Sequence, residues 1–129
     1  MAKIERFEDI ESWRYGREVA NQVYAATRTE PFVRDFALCN QIRRSAVSII
    51  SNIAEGFERD GNKEFVQFLT VAKGSCGEVR SQLYVALDQN YIDEPTFREI
   101  YNRTLETSRL IAGLIRYLKQ SDFRGTKFR

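Results

Sequence analysis

Between Phe65 and Leu87 the apolar residues recur at alternating spacings of four and three: Phe65, Leu69, Ala72, Cys76, Val79, Leu83 and Leu87. That alternation averages ~3.5 residues, the period of a helix that keeps one seam against its neighbours in a left-handed bundle. A strand would need strict alternation of apolar and polar residues, and no such run occurs in the chain. An all-α fold follows, and with 129 residues there is room for one domain with a buried core.

Three further segments carry the same kind of pattern. Residues 9–28 present Ile10, Trp13, Ala20, Val23 or Tyr24, and Thr27, and Thr29-Glu30-Pro31 ends the run because proline has no amide to give a helix interior. Residues 34–56 form the second segment, with Leu38, Ile42, Ala46, Ile49 and Ile53 on its core face and Gly56 as the expected C-terminal cap. The stripe of the third segment belongs to residues 62–90, with Asn62 as the expected N-cap. Residues 95–120 make the fourth, opened by Asp93-Glu94-Pro95 and showing Phe97, Ile100 or Tyr101, Leu105, Ser108, Ile111, Leu114 or Ile115, and Leu118. Short connections favour antiparallel neighbours, so the expected architecture is an up-down-up-down four-helix bundle with a basic tail at 121–129.

The second and third segments carry features that one core does not require. From Ser45 to Ala54 the sequence SAVSIISNIA holds no charge, although a helix with a wet side normally carries charges there. Val47, Ile50 and Ala54 widen the apolar arc, and Ser45, Ser48, Ser51 and Asn52 are small polar groups that tolerate burial when hydrogen-bonded. In the third segment Thr70, Gly74, Gly77 and Ser81 fall along one ridge. A mid-helix glycine costs roughly 0.5–1 kcal/mol relative to alanine, so two on one ridge point to a close approach. Either the helices of one chain cross tightly there, or a second subunit packs on the ridge. With the charge-free helix beside it, the balance favours a homo-oligomer whose interface includes Val47, Ile50, Ala54, Thr70, Gly74, Gly77 and Ser81.

The residues that catalysis commonly uses are scarce. The chain has no histidine, which removes the commonest general base near neutral pH and the commonest metal ligand. Cys39 and Cys76 form no CxxC pair and sit in apolar patterns, as buried reduced thiols do. No phosphate-binding glycine motif occurs, since Gly74-Ser75-Cys76-Gly77 lies inside a helical pattern. Glu55 and Glu78 read as partners for Arg43, Arg44 or Arg80. A non-enzymatic protein without cofactor or metal is expected. The opening residues run into charged sequence without an apolar leader, and no membrane-length apolar run occurs, so a cytoplasmic site of action is expected.

The overall charge of +2 is unevenly placed: residues 1–33 carry −1, 34–61 are neutral, 62–94 carry −2 and 95–129 carry +5. Arg116, Lys119, Arg124, Lys127 and Arg129 concentrate this excess, and Phe123 and Phe128 lie among the last of them. These five cations are the first candidates for phosphate contacts, with Arg43 and Arg44 as second candidates, and the two phenylalanines could stack on bases.

The stretch from Gln41 to Gly56, QIRRSAVSIISNIAEG, is followed by Phe57-Glu58-Arg59, Glu64-Phe65, Phe68-Leu69, Ala72-Lys73-Gly74-Ser75 and Glu78. With Phe7-Glu8-Asp9-Ile10 and Trp13 near the start, this set resembles the bacterial four-helix-bundle proteins encoded within intervening sequences of 23S ribosomal RNA genes. Those are similar in turn to the accessory variability determinant proteins of diversity-generating retroelements. The resemblance implies an antiparallel bundle assembled as a ring, with a homopentamer the expected state. For retroelement members it also implies nucleic-acid binding and association with a reverse transcriptase. The expected function is thus that of an oligomeric accessory protein binding RNA or DNA through basic residues. The alternative is a homo-oligomeric scaffold that binds a protein partner and little nucleic acid. The sequence pI of about 8.6 is only moderately basic for the first of these.

Overall fold

The computed structural model describes residues 4–121, and among these four helices account for nearly all the chain, with no strand. They are α1 (Glu11–Thr27), α2 (Phe36–Glu58), α3 (Asn62–Asp88) and α4 (Glu94–Ser121), with single 3-10 turns at Phe7–Asp9 and Phe32–Arg34 before α1 and α2. The helices pack in a closed cycle, α1 on α2, α2 on α3, α3 on α4 and α4 on α1. At one end the Tyr91 hydroxyl donates to Asp35 Oδ2 over 2.9 Å, tying the α3–α4 turn to the start of α2. At the other, Asn62 Nδ2 donates to the Leu118 carbonyl over 3.3 Å, joining the start of α3 to the end of α4. Neighbours therefore run antiparallel in a four-helix bundle.

The apolar seams meet inside. Val19 and Val23 of α1, Ile42, Ala46, Ile49 and Ile53 of α2, and Ile100, Ile111 and Leu118 of α4 are buried. So are Phe65, Leu69, Ala72, Cys76, Val79 and Leu83 of α3, as its spacing demands, whereas Ala86 takes the deep position and Leu87 is half-buried. Burying a side chain of this size is worth about 1.5–3 kcal/mol. The exposed i,i+4 ion pairs Arg34–Glu30, Arg59–Glu55 and Arg98–Glu94 contribute only ~0.3–0.5 kcal/mol each. The core holds the bundle. In α4, Thr104 and Thr107 replace the expected Leu105 as core residues, and each hydroxyl donates back to a carbonyl one turn earlier, Ile100 at 2.7 Å and Arg103 at 2.8 Å.

Several helix ends differ from the sequence expectation for identifiable reasons. Helix α1 begins at Glu11, two residues late, because Phe7–Asp9 forms its own turn and Phe7 packs edge-on against Trp13 at 5.1 Å. Asp35, not Arg34, starts α2 by accepting from Leu38 N over 3.0 Å. Gly56 is not a cap: α2 continues to Glu58, and Gly56 is the point where α2 meets α3. A Cβ on Gly56 would stand 2.7 Å from Phe68 Cβ and 2.9 Å from Phe65 Cδ1. Asn62 is the first residue of α3, buried, and the residue before it, Gly61, has the left-handed φ of 84° that this short turn needs. Asp93 does open α4, its Oδ1 accepting from Thr96 N over 2.9 Å.

Candidate nucleic-acid and assembly surfaces

Helix α2 turns its charge-free stretch only partly inward. Ser45 donates to the Gln41 carbonyl over 3.0 Å, and Asn52 Nδ2 donates to the Ser48 carbonyl over 2.8 Å. Ser48 Oγ lies 2.9 Å from Ser75 Oγ of α3. A serine and asparagine seam thus satisfies itself between α2 and α3, which is why no charge is needed there. Ser51 and Val47 remain exposed.

Beside that seam, α1 and α2 frame a groove of about 510 Å³ lined by Tyr24, Asn40, Arg43, Arg44, Val47, Ser48 and Ser51. No carboxylate lines it. Arg43 is held in place: its Nε donates to Thr27 Oγ1 over 2.8 Å and its guanidinium lies 4.6 Å from the centre of the Tyr24 ring. Arg28 approaches the same ring at 5.9 Å. Neither Arg28, Arg43 nor Arg44 has an ion-pair partner among the described residues. Arg44 also lines a second groove of about 450 Å³ on the α3 side, with Ser48 in common and with Glu78 and Gln82 facing it. One fixed guanidinium, that of Arg43, and one exposed, that of Arg44, flanked by hydroxyl and amide groups, can take phosphate oxygens.

The ion pairing expected of Glu55 and Glu78 takes a different form. Glu55 pairs with Arg59 one turn on, at 2.8 Å, because both face solvent on α2. Glu78 makes no ion pair among the described residues, and Arg80 lies over Tyr101 of α4 at 5.9 Å with Nη1 buried and unpartnered. Arg43 and Arg44 are thus left available, which the sequence could not decide.

Of the other candidate phosphate contacts, Arg116 and Lys119 are exposed near the end of α4. That is the opposite end of the bundle from Arg43 and Arg44, so the structure does not bring the two sets together. Arg124, Lys127 and Arg129, with Phe123 and Phe128, lie outside the described residues.

The small-residue ridge of α3 has a plain geometry. A Cβ on Gly74 would meet nothing within 4 Å, and one on Gly77 would meet only Arg80 Nη2 at 3.9 Å. Tight crossing within the chain is therefore absent at both glycines. Thr70 and Ser81 are exposed, and the Thr70 hydroxyl is turned back onto the Val66 carbonyl at 2.8 Å. Val71 and Val85, 52% and 45% exposed, lie on the same side of α3. The face that results is open and built of small and apolar residues, with Lys73 and Glu78 exposed beside it. On α2, Val47 is exposed and Ala54 half-buried, whereas Ile50 is half-buried against Gly16 of α1, where a Cβ would come within 2.8 Å of Ile50 Cγ2.

Both cysteines are buried and free, Cys76 with its thiol pushed up to about 12 by burial. Among the described residues no group of His, Cys, Asp and Glu could hold a metal ion, and no helix is long and apolar enough to cross a membrane.

Fold and surface together define a small helical-bundle protein with open faces on α2 and α3. Residues 8–113 match the 23S rRNA-intervening sequence protein family, and the chain belongs to that family. Among solved structures it is similar to a protein of unknown function from the S23 ribosomal protein family of Bacteroides thetaiotaomicron. The two are 24% identical, with a TM-score of 0.74 over 81% of this chain and 97% of that one. At that identity the likeness concerns the fold. No curated protein matches the chain.

Proposed function

We propose that this chain is a non-enzymatic, homo-oligomeric accessory protein that binds RNA or DNA along the α1–α2 groove. The observation that carries the reading is the arginine cluster around Tyr24, cationic, positioned and free of carboxylate partners. Arg28 and Arg44 are exposed, and Arg43 is half-buried with its Nε committed to Thr27, so further guanidinium N–H groups remain to meet phosphate oxygens, their natural complement. Subunit packing on the open α3 face would repeat the groove around an assembly and raise affinity by multivalency. A ring, with the homopentamer that the resemblance implies, is the proposed form, and the cytoplasm the proposed compartment. Arg116, Lys119 and the tail cations would add a second basic zone, and a reverse transcriptase is a candidate partner for a retroelement-type relative.

The test is light scattering of the protein with and without a mixed single-stranded RNA across a salt titration. A defined oligomer that gains RNA mass at low salt, and loses it in the Arg43→Ala, Arg44→Ala double variant, is the expected result. An oligomer that ignores RNA at every salt concentration would leave the second reading, a protein-binding scaffold. That reading is favoured by the exposed Val71, Tyr84 and Val85 on one helix, a surface suited to protein, not phosphate.

A further inference from the structure

Two arginines of the bundle lie 4.6 Å from the centre of a tyrosine ring, and their surroundings differ in one respect. Arg103 of α4 lies over Tyr15 and pairs with Glu18 at 3.4 Å and Glu106 at 3.6 Å. Arg43 of α2 lies over Tyr24 and forms no ion pair among the described residues. The first arrangement is complete within the chain. The second leaves a full charge at the α1–α2 groove, which Tyr24 and Arg43 both line.

The Arg43 guanidinium is also fixed in orientation. Thr27, fully buried in the last turn of α1, donates its hydroxyl to the Val23 carbonyl over 2.8 Å. Its oxygen is then left as the acceptor for Arg43 Nε, also at 2.8 Å. A guanidinium held this way has two uses. Its edge donates to phosphate oxygens, and its flat face stacks on a base. Along the same groove an exposed ridge of α2 runs Asn40, Arg44, Val47 and Ser51, at spacings of four, three and four. Val47, 38% exposed, is an apolar seat. The Asn40 amide both donates and accepts, as base edges require. The cavity of about 510 Å³ falls in the size range of small-molecule sites, which suits a base with its sugar. A duplex keeps its base faces in its own stack and offers edges and phosphates, whereas a single strand can splay a base out.

We infer that the groove takes single-stranded nucleic acid, one unpaired base lying against the Arg43 guanidinium and Val47, with the flanking phosphates on Arg43 and Arg44. This inference rests on the nucleic-acid reading above and narrows it. Phosphate accounts for the cations, but a bare backbone has no use for a fixed planar group, an apolar seat and an amide side by side.

The experiment is fluorescence anisotropy of the full chain across a salt titration, with probes of about 12 nucleotides. The probes are a mixed single strand as RNA and as DNA, which separates the two sugars, an abasic strand with the same number of phosphates, and a duplex. The single strand is expected to bind about tenfold tighter than the abasic strand. The offset should hold at every salt concentration, because the two carry equal phosphates. It should also bind tighter than the duplex, although a purely electrostatic surface favours the duplex for its higher charge density. Arg43→Lys, which keeps the charge and removes the plane, is expected to bring the single strand down to the abasic level and leave the abasic strand unchanged. Arg103→Lys, the control at the ion-paired stack, is expected to alter neither. Equal affinity for the single and abasic strands, or tighter binding of the duplex, would overturn the inference and leave the phosphate reading standing. So would an Arg43→Lys protein that keeps its full preference for the single strand. Binding of no probe at any salt concentration would overturn both.

Discussion

The glycines of α1 and α2 and those of α3 stand in opposite situations. Gly16 and Gly56 sit where helices cross, with neighbouring side-chain carbons 2.7–3.1 Å from where a Cβ would be. Gly74 and Gly77 sit in the middle of α3 with open space where a Cβ would go. All four lie within helices, Gly56 in the last turn of α2, and each carries a propensity cost relative to alanine. At the first pair, close packing within the chain compensates that cost, whereas at the second nothing within the chain does. An unoccupied glycine ridge on a bundle of this kind teaches that the chain's own fold does not explain its sequence.

The comparison breaks most sharply at Gly56. Gly56→Ala adds a methyl group against Phe65 and Phe68, and a well-packed interior resists such an addition by typically 1–3 kcal/mol. The helix gain of roughly 0.5–1 kcal/mol from replacing glycine offsets only part of it. Chemical denaturation should show a net loss of stability, with Gly16→Ala behaving alike through Ile49 and Ile50. A stabilised Gly56→Ala would show that α2 and α3 do not approach as described.

The opposite sign is expected on α3. Gly74→Ala and Gly77→Ala should each raise the stability of the dissociated chain by roughly 0.5–1 kcal/mol, because only the helix term acts there. The same variants should reduce the mass seen by light scattering if the ridge is the subunit contact. Gain in folding stability together with loss of assembly is the signature that a core position cannot produce. Destabilisation of both would place the ridge inside the chain after all.

This difference marks what the sequence could tell. The period of four and three located α3 and its seam almost residue by residue, because burial on one side enforces it. Helix ends were less legible: Gly56 reads as a stop signal, and only its three-dimensional neighbours Phe65 and Phe68 show why a glycine is required in the last turn of α2. The direction of the Gly74 ridge was undecidable for a related reason, as spacing fixes a face but not what covers it. Arg43 was visible as a cation, yet its fixed place beside Tyr24 and Thr27 depends on contact between two helices, which the sequence pattern does not carry. The exchange of Leu105 for Thr104 in the core was illegible because a threonine that bonds its own helix looks polar in sequence and behaves as an apolar residue in place.

Adjacent positions of α3 allow the same contrast to be read chemically. Cys76 points into the core with its thiol pushed up to about 12 by burial, so at pH 8 it should resist alkylation in the native protein. A thiol introduced two residues earlier by Gly74→Cys should react at close to the rate of a free cysteine when the chain is dissociated. Its protection should grow with protein concentration if subunits meet there. A concentration-independent rate would confine the open face to the single chain and turn the homo-oligomer reading toward another surface.

In the arginine groove, Arg43 and Arg44 should separate by role. Arg43 is tied to Thr27 and Tyr24, so Arg43→Ala should lower both stability, by about 1 kcal/mol for the lost bond, and RNA binding. Arg44 is exposed and unpaired, so Arg44→Ala should leave stability within about 0.5 kcal/mol and flatten the salt dependence of RNA binding by about one phosphate contact. Equal stability losses in both would show Arg44 to be structural.

The smallest expected effect concerns Asp93, on the surface at the start of α4. The Thr96 side chain and amide both bond its carboxylate and hold its pKa below the ordinary value of 3.8. A depressed folded-state pKa contributes stability that is fully present above the unfolded value and is lost as pH falls through the folded one. Asp93→Asn keeps a capping acceptor but removes the titration. At neutral pH the native chain should therefore melt slightly higher than the variant, with the gap closing below about pH 4 as the carboxylate is protonated. A gap independent of pH would mean that Asp93 acts as a hydrogen-bond acceptor alone, and that its charge contributes nothing at the helix terminus.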